Sequence, residues 1–356
     1  MTETVPTNPV IVTGGCGFIG SNFLSMVVRM FPGTLFVNID KLTYAANPLS
    51  LREIADNSNY RFEQVDICDQ NRVDNIFQRY QPDWVIHFAA ESHVDRSILN
   101  PKDFLETNVL GTFNLLEAAR KHWKGLQNKL FQHVSTDEVF GSAVKGRFTE
   151  ESRYDPSSPY SASKASSDHL VRAYHRTYSL PIKITNCSNN YGPRQFPEKM
   201  IPLMIMNCIE RKPLPIYGDG SNIRDWIFVE DHCRALLQIA LNGRIGETYN
   251  IGGNCELANL AVVQAVCEAV AQQTGCSVNE LQFLIRFVKD RPGHDWRYAL
   301  DTRKITEELG WQPEETFFSG LAKTVSWYLS NREWIDSIRT GEYYRWLGKN
   351  YDQRGK

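Results

Sequence analysis

The chain has 356 residues, of which 42% are hydrophobic, and its formal net charge at pH 7 is -2. This size and apolar content suit one large α/β unit or two domains, and they exclude a miniprotein that depends on disulfides. The charge, without a long block of Lys and Arg, argues against a general affinity for nucleic acid or for an anionic membrane. Small anionic ligands stay compatible with it, because they need only a local cluster of cations.

The cysteines and the first residues bear on the compartment. The eight cysteines form no C-x-x-C pair and show no Cys/His spacing typical of zinc, so we interpret them as reduced thiols and predict no metal site. The start runs from a polar tail directly into a short strand, without the basic and apolar regions of a signal peptide. No apolar run reaches membrane-spanning length. We therefore expect a soluble, cytoplasmic protein.

Strand-like and helix-like segments alternate along the first half of the chain. The strands are short runs rich in β-branched and aromatic residues, namely VIVTGG, TLFVNID, YRFEQVDICD, DWVIHFAA, KLFQHVST and IKITNCSN. Helical periodicity covers residues 18–30, 72–80, 104–123 and 160–178. This alternation predicts a Rossmann-type, doubly wound parallel sheet with helices on both faces.

The second half of the chain is less regular. After about residue 191, turns rich in Pro and Gly appear, such as NNYGPRQFPEKMIP and KPLPIYGDGSNIRDW, and such loops are typical of ligand sites. A strand-like ETYNIGG, helices over 259–274 and 318–329, and the segment FVKDRPGHDWRYALD complete a smaller C-terminal α/β substrate domain. We predict interleaved domains at 1–190 and 191–356, with a strand or helix from 226–245 as a candidate addition to the first.

A glycine-rich loop lies between the first predicted strand and the first predicted helix. In VIVTGGCGFIGSN, Gly14, Gly17 and Gly20 recur every three residues. Without a Cβ, the backbone can turn tightly and approach a pyrophosphate, whose charge is met by free N–H groups at the helix N-terminus. The motif predicts a dinucleotide site, and the alternative is an ordinary strand-to-helix turn.

The next predicted strand ends in a carboxylate at the position that dinucleotide folds use for ribose. Asp40 lies 20 residues after Gly20, where it is expected to accept a hydrogen bond from the 2′-hydroxyl and to repel a 2′-phosphate. NAD is therefore favoured over NADP, although the neighbouring Lys41 weakens the argument. Asp66, at the end of YRFEQVD, is either an adenine-side residue or a turn-forming Asp.

Two further motifs carry chemistry. STDE places Asp137 beside Glu138 after an apolar strand, yet Ser135 with Glu138 three residues later also matches a capping box. YSASK places Tyr160 and Lys164 four residues apart on one helical face, where an ammonium lowers the pKa of a phenol and lets it act as a base. Taken singly, each motif has both a structural and a catalytic interpretation.

The order of these motifs resembles the extended short-chain dehydrogenase/reductase superfamily. Within it, the chain is similar to the dTDP-glucose 4,6-dehydratase family from near its start to its C-terminal tail. The resemblance is carried by TGGCGFIGSN, DKLTYA, FAAESHVDRSI, STDEVFG, PYSASKASSDHLV, NCSNNYGPRQFPEKMIPLMI, GDGSNIRDWIFVEDHCRAL and RPGHDWRYALD. TDE is its specific part, whereas the glycines and the Tyr/Lys pair are shared with epimerases and reductases.

The resemblance implies an NAD-dependent lyase that converts dTDP-glucose to dTDP-4-keto-6-deoxyglucose. Tyr160, helped by Lys164 and Thr136, takes the proton of the sugar 4-hydroxyl while hydride leaves C4. Glu138 as a carboxylate then removes the acidified C5 proton, and Asp137 as a neutral acid protonates the departing 6-hydroxyl, before hydride returns to C6. This elimination needs one carboxyl protonated and one ionised.

The resemblance also implies two sets of binding residues. The cofactor set comprises Gly14, Gly17, Phe18, Ile19, Gly20, Asp40, Lys41, Asp66, Ile67, Ala89, Ala90, Ser92, Asn108, Tyr160, Lys164 and Asn190. The substrate set comprises Ser92, His93, Thr136, Asn189, Lys199, Met200, Pro215, Tyr217, Arg224, Asn259, Arg291 and His294. Arg224 and Lys199 suit a diphosphate, and the alternative for either is a solvated surface charge. Arg194 stands where the family pattern leads us to expect an aromatic residue.

Three alternative functions stay open on the sequence: a UDP-sugar 4,6-dehydratase, an NAD-dependent nucleotide-sugar 4-epimerase, and a regulatory protein that binds the cofactor without turnover. TDE argues against the epimerase, and the presence of all four residues Asp137, Glu138, Tyr160 and Lys164 argues against the inactive binder.

The resemblance further implies a homodimer joined by helices from NPKDFLETNVLGTFNLLEAA and SASKASSDHLVRAY, whose apolar residues equally suit an ordinary core.

Overall fold

The computed structural model describes residues 8–339 and 341–348 of the chain. Its strands are β1 (Val10–Thr13), β2 (Phe36–Asp40), β3 (Tyr60–Gln64), β4 (Trp84–His87), β5 (Leu130–Thr136), β6 (Ile182–Cys187), β7 (Asn189–Tyr191), β8 (Leu214–Tyr217), β9 (Ile223–Phe228), β10 (Thr248–Ile251), β11 (Glu256–Ala258) and β12 (Ile285–Val288). The outer limits of the predicted domains, residues 1 and 356, lie outside the described residues.

The helices pack around these strands. They are α1 (Phe18–Met30), α2 (Gln70–Tyr80), α3 (Val94–Leu99), α4 (Pro101–Phe104), α5 (Thr112–His122), α6 (Pro159–Tyr178), α7 (Met200–Glu210), α8 (Val229–Asn242), α9 (Asn259–Thr274), α10 (Val278–Gln282), α11 (Arg303–Leu309), α12 (Phe317–Ser330), α13 (Arg332–Ile338) and α14 (Gly341–Leu347). Short 3₁₀ helices cover Pro48–Leu51 and Asp137–Phe140, and a π-helical segment, Leu105–Gly111, joins α4 to α5.

Seven parallel strands form the central sheet in the order β10-β6-β5-β4-β1-β2-β3. The predicted doubly wound fold is therefore confirmed. The chain order reverses between β1 and β4, so the crevice at the carboxyl ends of these strands is the expected ligand position.

Alternation along the strands builds a core on each face of this sheet. Val10 and Val12 pack in one cluster with residues of α1 and α8, whereas Ile11 packs in another with residues of α2, α5 and α6. Because successive side chains of a strand point to opposite faces, a short all-apolar strand fills both layers. Both faces of the sheet are thus covered, and its carboxyl edge is left for ligands.

A second region is built from small sheets and a core of its own. One sheet has the order β11-β9-β7 and another pairs β12 with β8, beside α7, α9 and α12. The predicted boundary at residue 190 falls inside β7, and the chain later returns to the large sheet through α8 and β10. Residues 200–202, interpreted from sequence as the end of a turn-rich segment, instead begin α7 (Met200–Glu210), which accommodates Pro202 because proline is tolerated in a first helical turn.

Two further features concern the cysteines and the lengths of the helices. All eight cysteines are free thiols. Within residues 8–339 and 341–348, no helix is long and apolar enough to cross a membrane.

Candidate active site

A cleft runs along the carboxyl edge of the central sheet and meets the second region. Its walls come from the loop after β1, from the ends of β2, β4, β5 and β6, and from the first turns of α6. A second pocket, in the smaller region, continues from it, because Glu138, Asn189, Glu198 and Lys199 line both. We call the first the cofactor cleft and the second the substrate pocket.

The glycine loop forms one end of the cofactor cleft, where its backbone is held close to its neighbours. Gly14 has a φ of +70°, and a Cβ there would lie 2.7 Å from the backbone of Ala89. A Cβ on Gly20 would lie 2.4 Å from the carbonyl oxygen of Gly14. The loop leads into α1 at Phe18, so free N–H groups face the cleft as a pyrophosphate requires.

Asp40 lies at the end of β2 with both carboxylate oxygens engaged by the backbone. Oδ2 accepts from the amide of Cys16 at 2.9 Å, and Oδ1 accepts from the amide of Leu42 at 2.8 Å. Burial raises the pKa of Asp40, while these two bonds and the charge of Lys41 lower it. Each oxygen keeps a further lone pair, so the carboxylate can also accept a ribose hydroxyl at the cleft wall.

Two residues of the predicted cofactor set lie outside the cleft lining. Asp66 faces a neighbouring pocket and accepts from the amide of Cys68 at 2.9 Å, which is a turn-forming bond. Asn108, 1% exposed, lies in the π-helical segment; its Nδ2 donates to the carbonyl of Glu91 at 3.0 Å and to Oγ of Ser163 at 2.8 Å. Asn108 thus ties the loop after β4 to α6 from behind the cleft.

The other predicted cofactor residues line the cofactor cleft, and most of the predicted substrate residues line the substrate pocket. Ser92 and Thr136 are the exceptions among the latter, since both line the cofactor cleft. The pocket is lined by His93, Asn189, Lys199, Met200, Pro215, Tyr217, Arg224, Asn259, Arg291 and His294. Asn190 lines the cofactor cleft, and its Oδ1 lies 2.8 Å from Nδ1 of His232.

The STDE segment begins a 3₁₀ helix with a cap other than the one the sequence suggests. Thr136 is the N-cap, and its Oγ1 accepts from the amide of Glu138 at 3.3 Å. Ser135 instead donates its hydroxyl to Oδ2 of Asp168 at 2.9 Å, so the Ser135–Glu138 capping box is wrong. Asp137 and Glu138 are therefore not needed as caps, and both side chains line the cleft.

The pKa values of both carboxyls are raised, that of Asp137 more strongly than that of Glu138. Burial raises the pKa of Asp137 well above its usual value, and the charges of Glu138 and Asp225 raise it further. Burial also raises the pKa of Glu138, but the charges of Arg291, Lys199 and Arg224 lower it. Asp137 is thus the better suited of the two to be the neutral acid that an elimination needs, while the three cations favour the ionised form of Glu138.

Tyr160 and Lys164 lie at the start of α6, opposite the carboxyl pair. Burial, followed by the charge of Glu138, raises the pKa of Tyr160 well above its usual value, whereas a hydrogen bond with Thr136 lowers it. Lys164 donates through Nζ to the carbonyl of Val134 at 2.9 Å. The expectation of a low phenol pKa is therefore wrong, because burial and the charge of Glu138 raise it.

The substrate pocket contains three cations that lack an anionic partner. Lys199 donates through Nζ to the carbonyl of Ser92 at 2.7 Å, and Arg224 donates only to backbone carbonyls. Neither of them nor Arg291 forms an ion pair in the described part of the chain. Since a buried cation such as Arg224 is normally paired, the pocket is suited to an anionic ligand such as a diphosphate.

Three further residues show what sequence reasoning missed. Arg194 lies away from both cavities, with a φ of +69°, and its Nη1 donates to the carbonyl of Ser21 at 3.2 Å and to Oγ of Ser25 at 2.9 Å. Its position therefore does not affect sugar or base contacts. Trp226 and Tyr298 line the substrate pocket and were missed. Trp226 stands two residues after Arg224 on one strand, so alternation could have indicated it, whereas no such signal marks Tyr298.

Comparison with known proteins agrees with this site. The family model described as GDP-mannose 4,6 dehydratase matches residues 11–324. The dTDP-glucose 4,6-dehydratase of Neisseria meningitidis is 56% identical over 344 residues, which cover 94% of this chain and 97% of that protein. The chain belongs to the dTDP-glucose 4,6-dehydratase family. The family predicted from the motifs is confirmed.

Solved structures of this family and of related families resemble the chain almost equally in fold but differ in sequence identity. The dTDP-glucose 4,6-dehydratase of Streptomyces venezuelae, determined with NAD and dTDP bound, matches with a TM-score of 0.86 and 44% identity, covering 93% of this chain and 100% of that one. The UDP-glucose 4-epimerase of Thermus thermophilus, in complex with NAD, has a TM-score of 0.81 and 28% identity, covering 91% and 99%. The fold is shared with epimerases, so the residues of the site must distinguish the activities.

Proposed function

We propose that the protein dehydrates dTDP-glucose to dTDP-4-keto-6-deoxyglucose with a tightly bound NAD. The observation that carries the proposal is the position of Asp137 and Glu138, which face Tyr160 across one cleft and adjoin a pocket of unpaired cations. The names of the relatives support dTDP-glucose as the substrate. We also propose that the large-sheet region holds NAD and the second region holds the nucleotide sugar.

The cofactor cleft fits a dinucleotide by backbone shape. Gly14, Gly17 and Gly20 allow close approach to the N-terminus of α1 for the pyrophosphate, and Asp40 accepts the ribose hydroxyl. When bound, NAD would supply the acceptor for the hydride of C4 and its donor for C6, and its positively charged oxidised ring would favour the ionised form of Tyr160, which burial disfavours. Asp40 favours NAD over NADP, because a 2′-phosphate would meet a buried carboxylate.

The side chains of the site then account for every proton of the reaction. Tyr160, aligned by Thr136 and Lys164, takes the proton of the 4-hydroxyl as C4 is oxidised. The C4 ketone acidifies the C5 proton, which Glu138 removes, while Asp137 gives its proton to the departing 6-hydroxyl. Water leaves across C5 and C6, and as hydride returns to C6, Glu138 gives its proton, after exchange with solvent, to C5. Tyr160 then loses a proton to solvent and Asp137 takes one up, so that all three groups regain their starting forms. Proton transfer by such placed groups typically contributes about 10²- to 10⁴-fold.

The test of this function is the fate of a deuterium at C4. dTDP-glucose labelled at C4 should yield a 6-deoxy-4-keto sugar labelled at C6, without net release of reduced cofactor, and deuterium from the solvent should enter C5. A C4-inverted sugar that keeps its 6-hydroxyl would instead identify a 4-epimerase, and absence of turnover would identify an inactive binder. UDP-glucose assayed in parallel decides between thymine and uracil.

We further propose that the protein acts in the cytoplasm as a homodimer. The free thiols suit a reducing compartment. Near α4 and α5, Leu105 and Leu110 are each 54% exposed and Phe113 is 39% exposed, which is unusual for large apolar side chains on one face and suits a self-complementary interface. Light scattering should give twice the chain mass of 40.8 kDa, and Leu110→Glu should lower it. A wild-type mass of one chain would contradict the dimer.

A further inference from the structure

Arg224 is a buried cation whose position depends on more than its own hydrogen bonds. It is 5% exposed at the start of β9, and its donors reach the carbonyls of Ile223 at 2.7 Å, Asp295 at 3.0 Å and Trp296 at 3.4 Å. Carbonyl oxygens carry only partial charge, so they do not compensate a guanidinium as a carboxylate would. A further contact is needed to explain why this side chain stays in the pocket before an anion binds.

The ring of Tyr298 supplies that contact. Its centroid lies 4.2 Å from Cζ of Arg224, within the range of a cation–π interaction, and such interactions are strongest where water is excluded. Tyr298 is 3% exposed and lines the substrate pocket with Arg224. The ring therefore forms a platform against which the guanidinium is held.

The platform is itself anchored to the catalytic helix. The hydroxyl of Tyr298 donates to Oδ2 of Asp295 at 2.7 Å, and Oδ1 of Asp295 accepts from Oγ of Ser157 at 2.8 Å. Ser157 directly precedes Ser158, the N-cap of the helix that carries Tyr160. One chain of hydrogen bonds thus joins the substrate pocket to the start of α6.

We propose that Tyr298 is a positioning residue, whose ring holds Arg224 ready for the diphosphate of a nucleotide sugar and whose hydroxyl ties that site to the catalytic helix through Asp295 and Ser157. The proposal rests on the proposed function, since the diphosphate belongs to that substrate. A bound anion then meets a preorganised cation, which reduces the cost of ordering a long side chain on binding.

The first test separates ring from hydroxyl. Tyr298→Leu removes both, Tyr298→Phe keeps the ring, and Tyr298→Met fills the space without a ring, so that the result does not depend on one variant folding. The Leu and Met variants should bind dTDP about tenfold or more weakly by calorimetry and raise KM, because Arg224 is no longer held. The Phe variant should bind dTDP within about threefold of wild type and lose kcat instead, since only the tie to α6 is cut.

A matched control excludes a general effect of losing a buried tyrosine. Tyr249 is also fully buried, and Nζ of Lys304 lies 4.8 Å from its ring centroid, but it lines neither cavity. Tyr249→Leu should lower the melting temperature as Tyr298→Leu does, while dTDP affinity stays at the wild-type value. A parallel loss of dTDP affinity in both variants would overturn the proposal.

The decisive measurement is a double-mutant cycle with Arg224→Met. If Tyr298 acts through Arg224, then Tyr298→Leu has no further effect on dTDP affinity once the guanidinium is gone. Additive losses, or wild-type affinity in Tyr298→Leu alone, would overturn the inference while leaving the dehydratase intact. Wild-type protein that fails to bind dTDP at all would overturn the proposed function, and this inference with it.

Discussion

The cofactor cleft and the substrate pocket recognise anionic ligands by different physical means. At the glycine loop of the cofactor cleft the backbone presents neutral N–H groups, and the carboxylate beside that loop, Asp40, is satisfied by two backbone amides. In the substrate pocket, Lys199, Arg224 and Arg291 are charged and without ion-pair partners in the described residues. The first site depends on backbone shape, the second on side-chain charge.

The difference follows from what holds each site in place. The cofactor cleft is formed by parallel strands with full core layers on both faces, so its backbone positions are rigid. The substrate pocket is formed by strands of three to six residues and connecting loops. Each side chain of that pocket must therefore be held by contacts of its own, as Tyr298 holds Arg224. The carboxyl pair, Asp137 and Glu138, lies where the two regions meet.

Substitutions at the junction should have the largest effect on turnover. Glu138→Gln should remove the C5 base and Asp137→Asn the acid for the leaving hydroxyl, so each should slow product formation by about 10²- to 10⁴-fold. Solvent deuterium should still enter C5 in Asp137→Asn but not in Glu138→Gln, as mass spectrometry of the sugar would show. Glu150→Gln alters another carboxyl whose pKa burial raises, outside both cavities, and serves as the control. Wild-type rates in both junction variants would remove the pair from catalysis.

The shape dependence of the cofactor cleft predicts a large effect from one added methyl group. A Cβ on Gly20 would lie 2.4 Å from the Gly14 oxygen and 2.9 Å from the Gly15 Cα, so Gly20→Ala must displace the loop. NAD affinity, measured by calorimetry, should fall by about tenfold or more, while dTDP affinity changes little. Gly33→Ala, where an added Cβ meets nothing within 4 Å, is the control. Equal NAD affinity in both variants would show that the loop is not shape-limited.

A substitution of Asp40 in the same cleft should have a smaller effect than Gly20→Ala, but one that distinguishes NAD from NADP. Wild-type protein should bind NAD much more tightly than NADP, because a 2′-phosphate would meet the buried carboxylate. Asp40→Asn keeps an oxygen acceptor and removes the charge, and should narrow that preference by about tenfold, chiefly through tighter NADP binding. Equal affinity of wild type for the two cofactors would contradict the assignment of Asp40.

The smallest predicted effect is on the pH dependence of folding stability, through His232, which lies behind the cofactor cleft. Burial lowers the pKa of His232 from its usual 6.5 to about 3, and its Nδ1 lies 2.8 Å from Oδ1 of Asn190. The unfolded chain therefore binds a proton that the folded chain does not, so stability should fall as pH drops from 6.5 towards 3. His232→Asn keeps a donor for Asn190 and should reduce this slope by up to about 1.4 kcal/mol per pH unit. Denaturant titrations of wild type and of His232→Asn across that pH range would measure the two slopes of stability against pH. Equal slopes in the two proteins would contradict the prediction.

Features that depend on neighbouring residues could be predicted from the amino-acid sequence. Helices at 18–30 and 259–274 were predicted with the limits the structure has, because periodicity and flanking glycines are local signals. The parallel sheet, the glycine loop and the carboxyl pair followed from the order of motifs, and the family was recognisable from them. Such features can be predicted because each is encoded within one short segment of the sequence.

Features that depend on residues far apart in the chain became visible only in the folded protein. Ser135 bonds Asp168 rather than capping a helix, and burial, with the charge of Glu138, raises the pKa of Tyr160. The hold of Tyr298 on Arg224 joins residues 74 positions apart (298 − 224). Desolvation and charge act through space, so pKa values, unpaired cations and positioning contacts become definable only when packing brings distant segments together.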